Sequence, residues 1–208
     1  VLIRHGQSVW NAANRFTGWT DVELSLIGKA EAAAAGEQLA DVRFDVIHTS
    51  ALIRAQATAE IVMSHNKASD NPPTRYDERL NERHYGDLQG LNKAETAEIH
   101  GAEQVHIWRR SYNIAPPNGE SLAMTAERTI PYFLKEIIPD LESGKNLLVA
   151  AHGPHEECSS SKPSIFWKDL AAVIRTFAKP CDTILLFADS NSHLLSTDYR
   201  RQTHASHF

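Results

Sequence analysis

The sequence predicts an α/β protein, a three-layer α/β/α sandwich with a mainly parallel central sheet. Short apolar runs that end in polar residues alternate along the chain with longer segments of helical spacing. This alternation favours parallel strands joined by helical crossovers, with a layer of helices on each face of the sheet. A length of 208 residues with 42% hydrophobic residues suits one core of ordinary size.

The strand candidates are short apolar runs, and most of them end in residues that can do chemistry. The first leads directly into Arg4 and His5, and the third leads into His152 and Gly153. Ligands of parallel sheets bind at the carboxyl ends of the strands, so these residues mark the expected site. The four strand candidates are residues 1–3, 44–50, 146–151 and 183–188.

The helix candidates follow from apolar spacing and from capping residues. Ser25 is typical of an N-cap before an alanine-rich helix, and Gly101 is expected to break the segment 91–108 into one or two short helices. Pro131 and Pro139 are expected to kink or restart the helical segment 120–143. The remaining assignments are helices at 26–42, 51–63 and 166–178 and loops at 64–74 and 113–119.

Composition excludes several classes of function. A net charge of −5 disfavours general binding to nucleic acid or to a membrane surface, and no apolar run is long enough to span a bilayer. Cys158 and Cys181 do not make a disulfide framework, which indicates a reducing, cytoplasmic location. The eleven histidines lack a convincing metal-ligand spacing, so we expect no metal. Because Val1 lies inside a predicted strand, we expect further residues before it, which could carry a targeting segment.

The loop after the first strand carries the first chemical motif. The imidazole of His5 can attack phosphorus and carry a phosphoryl group, and the guanidinium of Arg4 can bind two phosphate oxygens at once. An Arg-His-Gly triplet alone is equally consistent with a surface histidine after an edge strand. Further donors to the same anion could come from Gln7, Ser8, Asn11, Thr17 and Gly18.

Two more basic motifs are candidates for the same site. Arg54 follows the second strand at the start of a helix, where free N–H groups and the helix dipole favour an anion, although a lone arginine is usually solvated. Arg109 and Arg110 end a helical segment beside a proline-rich loop. Adjacent helical arginines point in different directions, so they are either unrelated surface charges or converge on one anion at the helix end.

The segment 80–95, LNERHYGDLQGLNKAE, concentrates polar and aromatic side chains into a short span that contains two glycines. Its composition alone favours a polar surface loop, but the glycines indicate close backbone approach or unusual turns. Together with RHGQSVWNAANRFTGW and DVELSLIGKAEA, this string resembles the histidine phosphatase superfamily and, within it, the 2,3-bisphosphoglycerate-dependent phosphoglycerate mutases. The resemblance implies a phosphoglycerate mutase-like fold in a single domain, residues 1–192. The resemblance is close over residues 1–153 and loose over residues 154–192, and a polar tail follows at residues 193–208.

The resemblance also implies roles for individual residues. His5 would carry the phosphoryl group, Glu82 would be the general acid or base, and His152 would contact the transferring group. Arg4 and Arg54 would complete the catalytic set by binding the phosphate. The substrate-binding residues would be Ser8, Asn11, Thr17, Gly18, Arg83, Tyr85, Lys93, Arg109, Arg110 and Gly153.

The activity implied is that of an isomerase of glycolysis and gluconeogenesis, which interconverts 2-phosphoglycerate and 3-phosphoglycerate. A phosphohistidine primed by 2,3-bisphosphoglycerate carries the group, no metal takes part, and a homo-oligomer is possible. One alternative is a phosphatase or bisphosphoglycerate synthase/phosphatase of the same superfamily. Another is a catalytically weakened interaction protein, because the resemblance fails after Gly153: Pro154 stands where the family has asparagine, and PHEECSSSKPS replaces a helix that begins Ser-Leu-Arg.

Overall fold

The computed structural model describes residues 1–152 and the backbone of two short strands, β5 (Leu186–Phe187) and β6 (Leu195–Ser196), which pair antiparallel. Leu186 and Phe187 of the strand predicted at 183–188 form β5, and β6 lies within the segment predicted as a tail. Gly153, Pro154 and the helix predicted at 166–178 lie outside the described residues. Across the described part of the chain, no helix is both long and apolar enough to cross a membrane.

Within the described residues, the central sheet has four parallel strands in the spatial order β1-β4-β2-β3, which confirms the predicted α/β class. Arg4 pairs with Ala151, and Thr49 pairs with Ala150, so the carboxyl ends of three neighbouring strands meet at one edge. The four strands are β1 (Leu2–Arg4), β2 (Val46–Ser50), β3 (Thr74–Asp77) and β4 (Leu147–Ala151). The sequence analysis missed β3, because an edge strand that reads TRYD and is not buried carries no apolar signal.

The helices stack on both faces of this sheet. Alternate residues of β4 point to opposite sides, so that Val149 packs in one core with Tyr132 while Leu148 packs in the other with Val62. The helices are α1 (Val9–Ala12), α2 (Leu26–Gln38), α3 (Ile53–His65), α4 (Lys93–His100), α5 (Ala102–Arg110), α6 (Leu122–Tyr132) and α7 (Ile138–Glu142). Each core stabilises the packing of helices on one face of the sheet, because burying one large apolar side chain contributes about 1.5–3 kcal/mol.

A capping serine and a glycine define helix boundaries at the positions that the sequence predicts. The hydroxyl of Ser25 accepts a hydrogen bond from the Gly28 amide at the start of α2. Gly101 has φ +84° and separates α4 from α5, which confirms the predicted break. These two short helices form a third, smaller core with Phe16 and Leu88. The end of α5 is thereby fixed next to the loop that follows β1.

The helical segment at 120–143 is interrupted, as its prolines predict. Pro131 lies inside α6, and a five-residue π-helix, Phe133–Ile137, joins α6 to α7, where Pro139 occupies the first turn. Proline has no N–H for the usual hydrogen bond to the carbonyl four residues earlier, so the helix changes its pitch here. Phe133 and Ile137, four residues apart on this turn, both lie in the core that includes residues of β4.

Candidate active site

Two histidines and a glutamate meet at the carboxyl edge of the sheet. His5 follows β1 and its amide donates to the Ala151 carbonyl of β4 at 3.0 Å, so that His5 and His152 leave neighbouring strands side by side. Their ring centroids are 4.9 Å apart, and less than a tenth of each residue is exposed. Nitrogen atoms of both rings and a carboxylate oxygen of Glu82 lie within 4.8 Å of one another. We call these three residues with Arg4 and Arg54 the transfer centre.

The loop around His5 fixes which ring nitrogen can react. Nδ1 lies 2.6 Å from the carbonyl oxygen of Gly6, which can only accept, so Nδ1 carries the hydrogen and Nε2 carries the lone pair. The Gly6 amide donates to the hydroxyl of Thr58 at 3.1 Å. A Cβ at Gly6 would lie only 2.2 Å from the carbonyl oxygen of Gly28, so only glycine fits here. Thr58 was not predicted as a site residue, since nothing in its local sequence distinguishes it from other helical threonines.

His152 lies opposite, and its surroundings keep it neutral. Its Nε2 is 2.7 Å from the hydroxyl of Ser50 at the end of β2. Burial, followed by the positive charge of Arg54 and the proximity of His5, lowers the pKa of His152 well below its ordinary value. The Nδ1 atom is buried and has no hydrogen-bond partner among the described residues.

Arg54 lies on α3 and links Glu82 to the segment that contains Gly18. Its side chain is fully buried, and its guanidinium donates to the Gly18 carbonyl at 2.7 Å, to the Thr20 carbonyl at 3.1 Å and to the Glu82 carboxylate at 2.7 Å. The Nε–H of Arg54 has no partner within the described part of the chain. One guanidinium thus orients the carboxylate and keeps a donor in the centre.

The backbone of Glu82 is held from outside the centre by residues that the sequence analysis missed. The Glu82 carbonyl accepts from the indole of Trp19 at 2.6 Å and from Arg128 at 2.9 Å. Arg128 also donates to the Asn81 carbonyl and forms two 2.9 Å hydrogen bonds with Glu120. Glu120 precedes α6, and Arg128 lies eight residues later within it, a separation that no short-range motif reveals.

Beside the transfer centre is a second cluster, which we call the cationic rim and define as Arg83, Tyr85, Lys93, Arg109 and Arg110. Arg83 is buried, donates to the Arg109 carbonyl at 3.0 Å and stacks 4.6 Å from the centroid of the Tyr85 ring. Burial, followed by the positive charge of Arg109, lowers the pKa of Lys93 to about 8, although Glu82 opposes this shift. The cations are therefore close enough to repel one another, which creates a local site for an anion in a protein of negative net charge.

The other predicted binding residues have mixed surroundings. Ser8 and Asn11 hydrogen-bond to each other's backbone amides and cap α1. Thr17 is buried, and its hydroxyl lacks a partner within residues 1–152. Gly18 has φ +55°, and a Cβ there would meet the Gln89 side chain at 2.2 Å. Thr17 thus offers a donor near the Gly18–Arg54 contact, whereas Ser8 and Asn11 already serve the helix cap.

The chemistry of the transfer centre suits an anion. Two imidazoles and a carboxylate at this spacing also resemble a three-ligand metal site. However, burial lowers the pKa of His152, and the nearby charges of Arg54 and Arg4 lower it further; such a positive field favours a phosphoryl group over a cation. The expectation that no metal takes part stays a prediction.

Comparisons with known proteins show which proteins the chain is similar to. The profile of the histidine phosphatase superfamily (branch 1) matches residues 1–156. A 2,3-bisphosphoglycerate-dependent phosphoglycerate mutase of Pseudoalteromonas atlantica is 50% identical, and the match covers 74% of this chain and 78% of that protein. A phosphoglycerate mutase of Schizosaccharomyces pombe is 54% identical, with 74% and 73% covered. The solved structure of a mycobacterial glucosyl-3-phosphoglycerate phosphatase is 31% identical, with a TM-score of 0.64 and 74% and 73% covered.

Proposed function

The chain belongs to the histidine phosphatase superfamily, and on that premise we propose that it is a 2,3-bisphosphoglycerate-dependent phosphoglycerate mutase. Its reaction is the interconversion of 2-phosphoglycerate and 3-phosphoglycerate, both small-molecule substrates. The observation that carries the proposal is the pairing of a transfer centre with a separate cationic rim. A phosphatase needs a site for one phosphate, whereas a mutase must also hold a carboxylate and a second phosphate while the first one moves.

His5 begins the reaction as the nucleophile. The lone pair of Nε2 attacks a phosphorus of 2,3-bisphosphoglycerate in line with the ester oxygen, a P–N bond forms, and the P–O bond breaks. Glu82 gives a proton to the leaving oxygen and takes it back from the hydroxyl in the reverse step. Arg4 and Arg54 bind the phosphoryl oxygens as negative charge spreads over them.

The cationic rim holds the part of the substrate that does not react. Arg83, Lys93 and the pair Arg109 and Arg110 bind the carboxylate and the second phosphate. Phospho-His5 gives its group to one hydroxyl of phosphoglycerate, the bisphosphate reorients against the rim, and the other phosphate returns to His5. The guanidinium groups supply the positive charge of the site, so we expect activity without an added metal.

Radiolabelled 2,3-bisphosphoglycerate tests the proposal directly. We expect acid-labile, alkali-stable phosphate on the wild-type protein and none on His5→Ala, together with isomerisation of 3-phosphoglycerate that survives dialysis against a chelator. Absence of labelling refutes the phosphohistidine intermediate and the proposed mutase activity that depends on it. Labelling followed by release of inorganic phosphate without isomerisation identifies a phosphatase instead, and labelling lost after chelation contradicts the metal-free site.

A further inference from the structure

The hydroxyl of Ser50 is closed to solvent and has two polar neighbours. It lies 3.2 Å from the amide nitrogen of Leu52 and 2.7 Å from Nε2 of His152. An amide can only donate, so the serine oxygen accepts the hydrogen bond from Leu52. Among the described residues, His152 is the one remaining partner for the hydrogen of this hydroxyl.

The direction of the Ser50–His152 hydrogen bond follows from the donors and acceptors around the Ser50 hydroxyl. If Nε2 carried a hydrogen, both neighbours would donate to the serine oxygen, and the serine hydrogen would be buried without an acceptor. The Nδ1 lone pair would also lack a partner within residues 1–152. If Ser50 instead donates to Nε2, one buried group, the Nδ1–H, lacks a protein partner rather than two, so Ser50 donates and Nε2 accepts. A neutral imidazole has one N–H, and burial together with the charge of Arg54 keeps the pKa of His152 low enough for the ring to be neutral.

The single N–H of His152 therefore lies on Nδ1. This atom is buried and has no protein partner within residues 1–152, and its ring faces His5 at a centroid distance of 4.9 Å. We infer that Ser50 is a positioning residue that holds His152 in the Nδ1–H tautomer, so that this N–H donates to the phosphoryl group during its transfer. The identity of that acceptor rests on the proposed function, whereas the tautomer itself does not.

The tautomer can be measured without any enzyme assay. In protein labelled with ¹⁵N-histidine, we expect long-range ¹H–¹⁵N correlation spectra to show a protonated Nδ1 and an unprotonated Nε2 for His152, assigned by the signals that His152→Gln removes. Ser50→Ala should give a mixture of tautomers, and Ser50→Thr, which keeps the hydroxyl, should restore the wild-type pattern. A protonated Nε2 in the wild type, or an unchanged tautomer in Ser50→Ala, overturns the inference.

Kinetics then test whether the tautomer matters to the reaction. Ser50→Ala should lower kcat roughly tenfold, the effect of one neutral hydrogen bond, and leave KM nearly unchanged.

The matched control is Ser69→Ala, which removes a hydroxyl that accepts a hydrogen bond from the Phe44 amide at 2.8 Å. This site is remote from the carboxyl ends of the strands, so the variant should retain wild-type kcat. An altered tautomer with unchanged kcat, or an equal loss in Ser69→Ala, refutes the functional part. If the protein does not isomerise phosphoglycerate, the spectra still decide the tautomer, so the two failures are distinguishable.

Discussion

In the transfer centre, Arg4, His5 and His152 lie at strand ends and Arg54 is held on α3. The cationic rim lies instead on a loop, at the start of α4 and on the last turn of α5. His5 and His152 follow adjacent strands, and Arg54 is fully buried beneath them with three hydrogen bonds to protein oxygens. In the rim, burial lowers the pKa of Lys93, and the charge of the nearby Arg109 lowers it further. The centre is thus organised before substrate arrives, while the rim contains repulsion that an anion relieves.

This difference separates the chemical step from binding. Groups that act in the transition state gain most from fixed geometry, because no energy is then needed to orient them during the reaction. Groups that hold the non-reacting part of a substrate must release it and let it turn, so they act through their charge and do not need alignment with the reacting atoms. The predictions below test this division, from the largest expected effect to the smallest.

A second comparison shows which signal identifies the site. His48 and His152 are both buried, and both have a lowered pKa, to about 4 for His48, chiefly because of burial. His48 hydrogen-bonds Tyr132 at 2.8 Å and lies 3.7 Å from Asp140, so it belongs to a closed cluster under the sheet. A shifted pKa therefore does not distinguish a structural histidine from a reactive one, but the position at a strand end does.

Replacing His5 by alanine should have the largest effect. Phosphoryl transfer should fall by about 10⁴-fold or more, because no other group can take the position of Nε2 in line with the leaving oxygen. Thermal unfolding followed by circular dichroism should remain cooperative, since the strands around His5 keep their hydrogen bonds through the backbone. Near-normal mutase activity in His5→Ala contradicts the assignment of the nucleophile.

Replacing Glu82 by glutamine should have the second-largest effect on activity. The amide keeps the shape and can still contact Arg54, but it cannot donate and recover the proton of the transferring oxygen. We expect kcat to fall roughly 10²–10⁴-fold, the usual contribution of general acid–base catalysis. Glu120→Gln is not an inert control, because Glu120 supports Arg128, so the comparison uses Glu37→Gln on the exposed side of α2. An unchanged kcat in Glu82→Gln removes the proton-transfer role.

Arg109→Ala and Arg110→Ala should have smaller effects, and of a different kind. Both residues end α5 in the cationic rim, away from the strand ends that carry the histidines. Each substitution should raise KM for 3-phosphoglycerate about tenfold or more, as a charge-assisted hydrogen bond contributes about 1.5–3 kcal/mol, with little change in kcat. A loss confined to kcat would place the arginine on the transferring phosphoryl group and break the division between centre and rim.

Much of this architecture could be predicted from the sequence, because it follows local rules. The alternation of apolar runs and helices gave the parallel sheet, and Ser25, Gly101 and Pro131 marked the ends and breaks of helices where they occur. The histidines after β1 and β4 could be placed together, since parallel strands bring their carboxyl ends to one edge. That step needs the order of strands alone, not the packing of side chains.

The rest depends on contacts between residues that are far apart in the chain. Arg128 supports the Glu82 backbone across 46 positions, and Ser50 meets His152 across 102. No period or capping rule connects such pairs, so sequence analysis left Arg128, Trp19 and Thr58 unassigned. Conversely, Ser8 and Asn11 were predicted as ligands, and their local hydrogen bonds cap α1; binding of substrate by either stays a prediction.

The smallest expected effect concerns the charge of Lys93, whose pKa is lowered to about 8 by burial and by the nearby arginines. Below this value the ammonium group is charged and can bind an anion; above it the charge is lost. The phosphate of the substrate is fully ionised throughout this range. We therefore expect KM for 3-phosphoglycerate to begin to rise above about pH 7, to be half-way through its change near pH 8 and to have risen roughly two- to fivefold by about pH 9.5, as for a weak ion pair.

Lys93→Arg isolates this contribution, because arginine stays protonated at every pH in the experiment. Its KM should remain flat to about pH 9.5, even if its absolute value differs from that of the wild type. Lys29→Arg, on the exposed surface of α2, makes the same chemical change elsewhere and should keep the wild-type rise. If Lys93→Arg shows that rise too, the pH dependence belongs to another group, and the repulsion among the rim cations is not what tunes substrate binding.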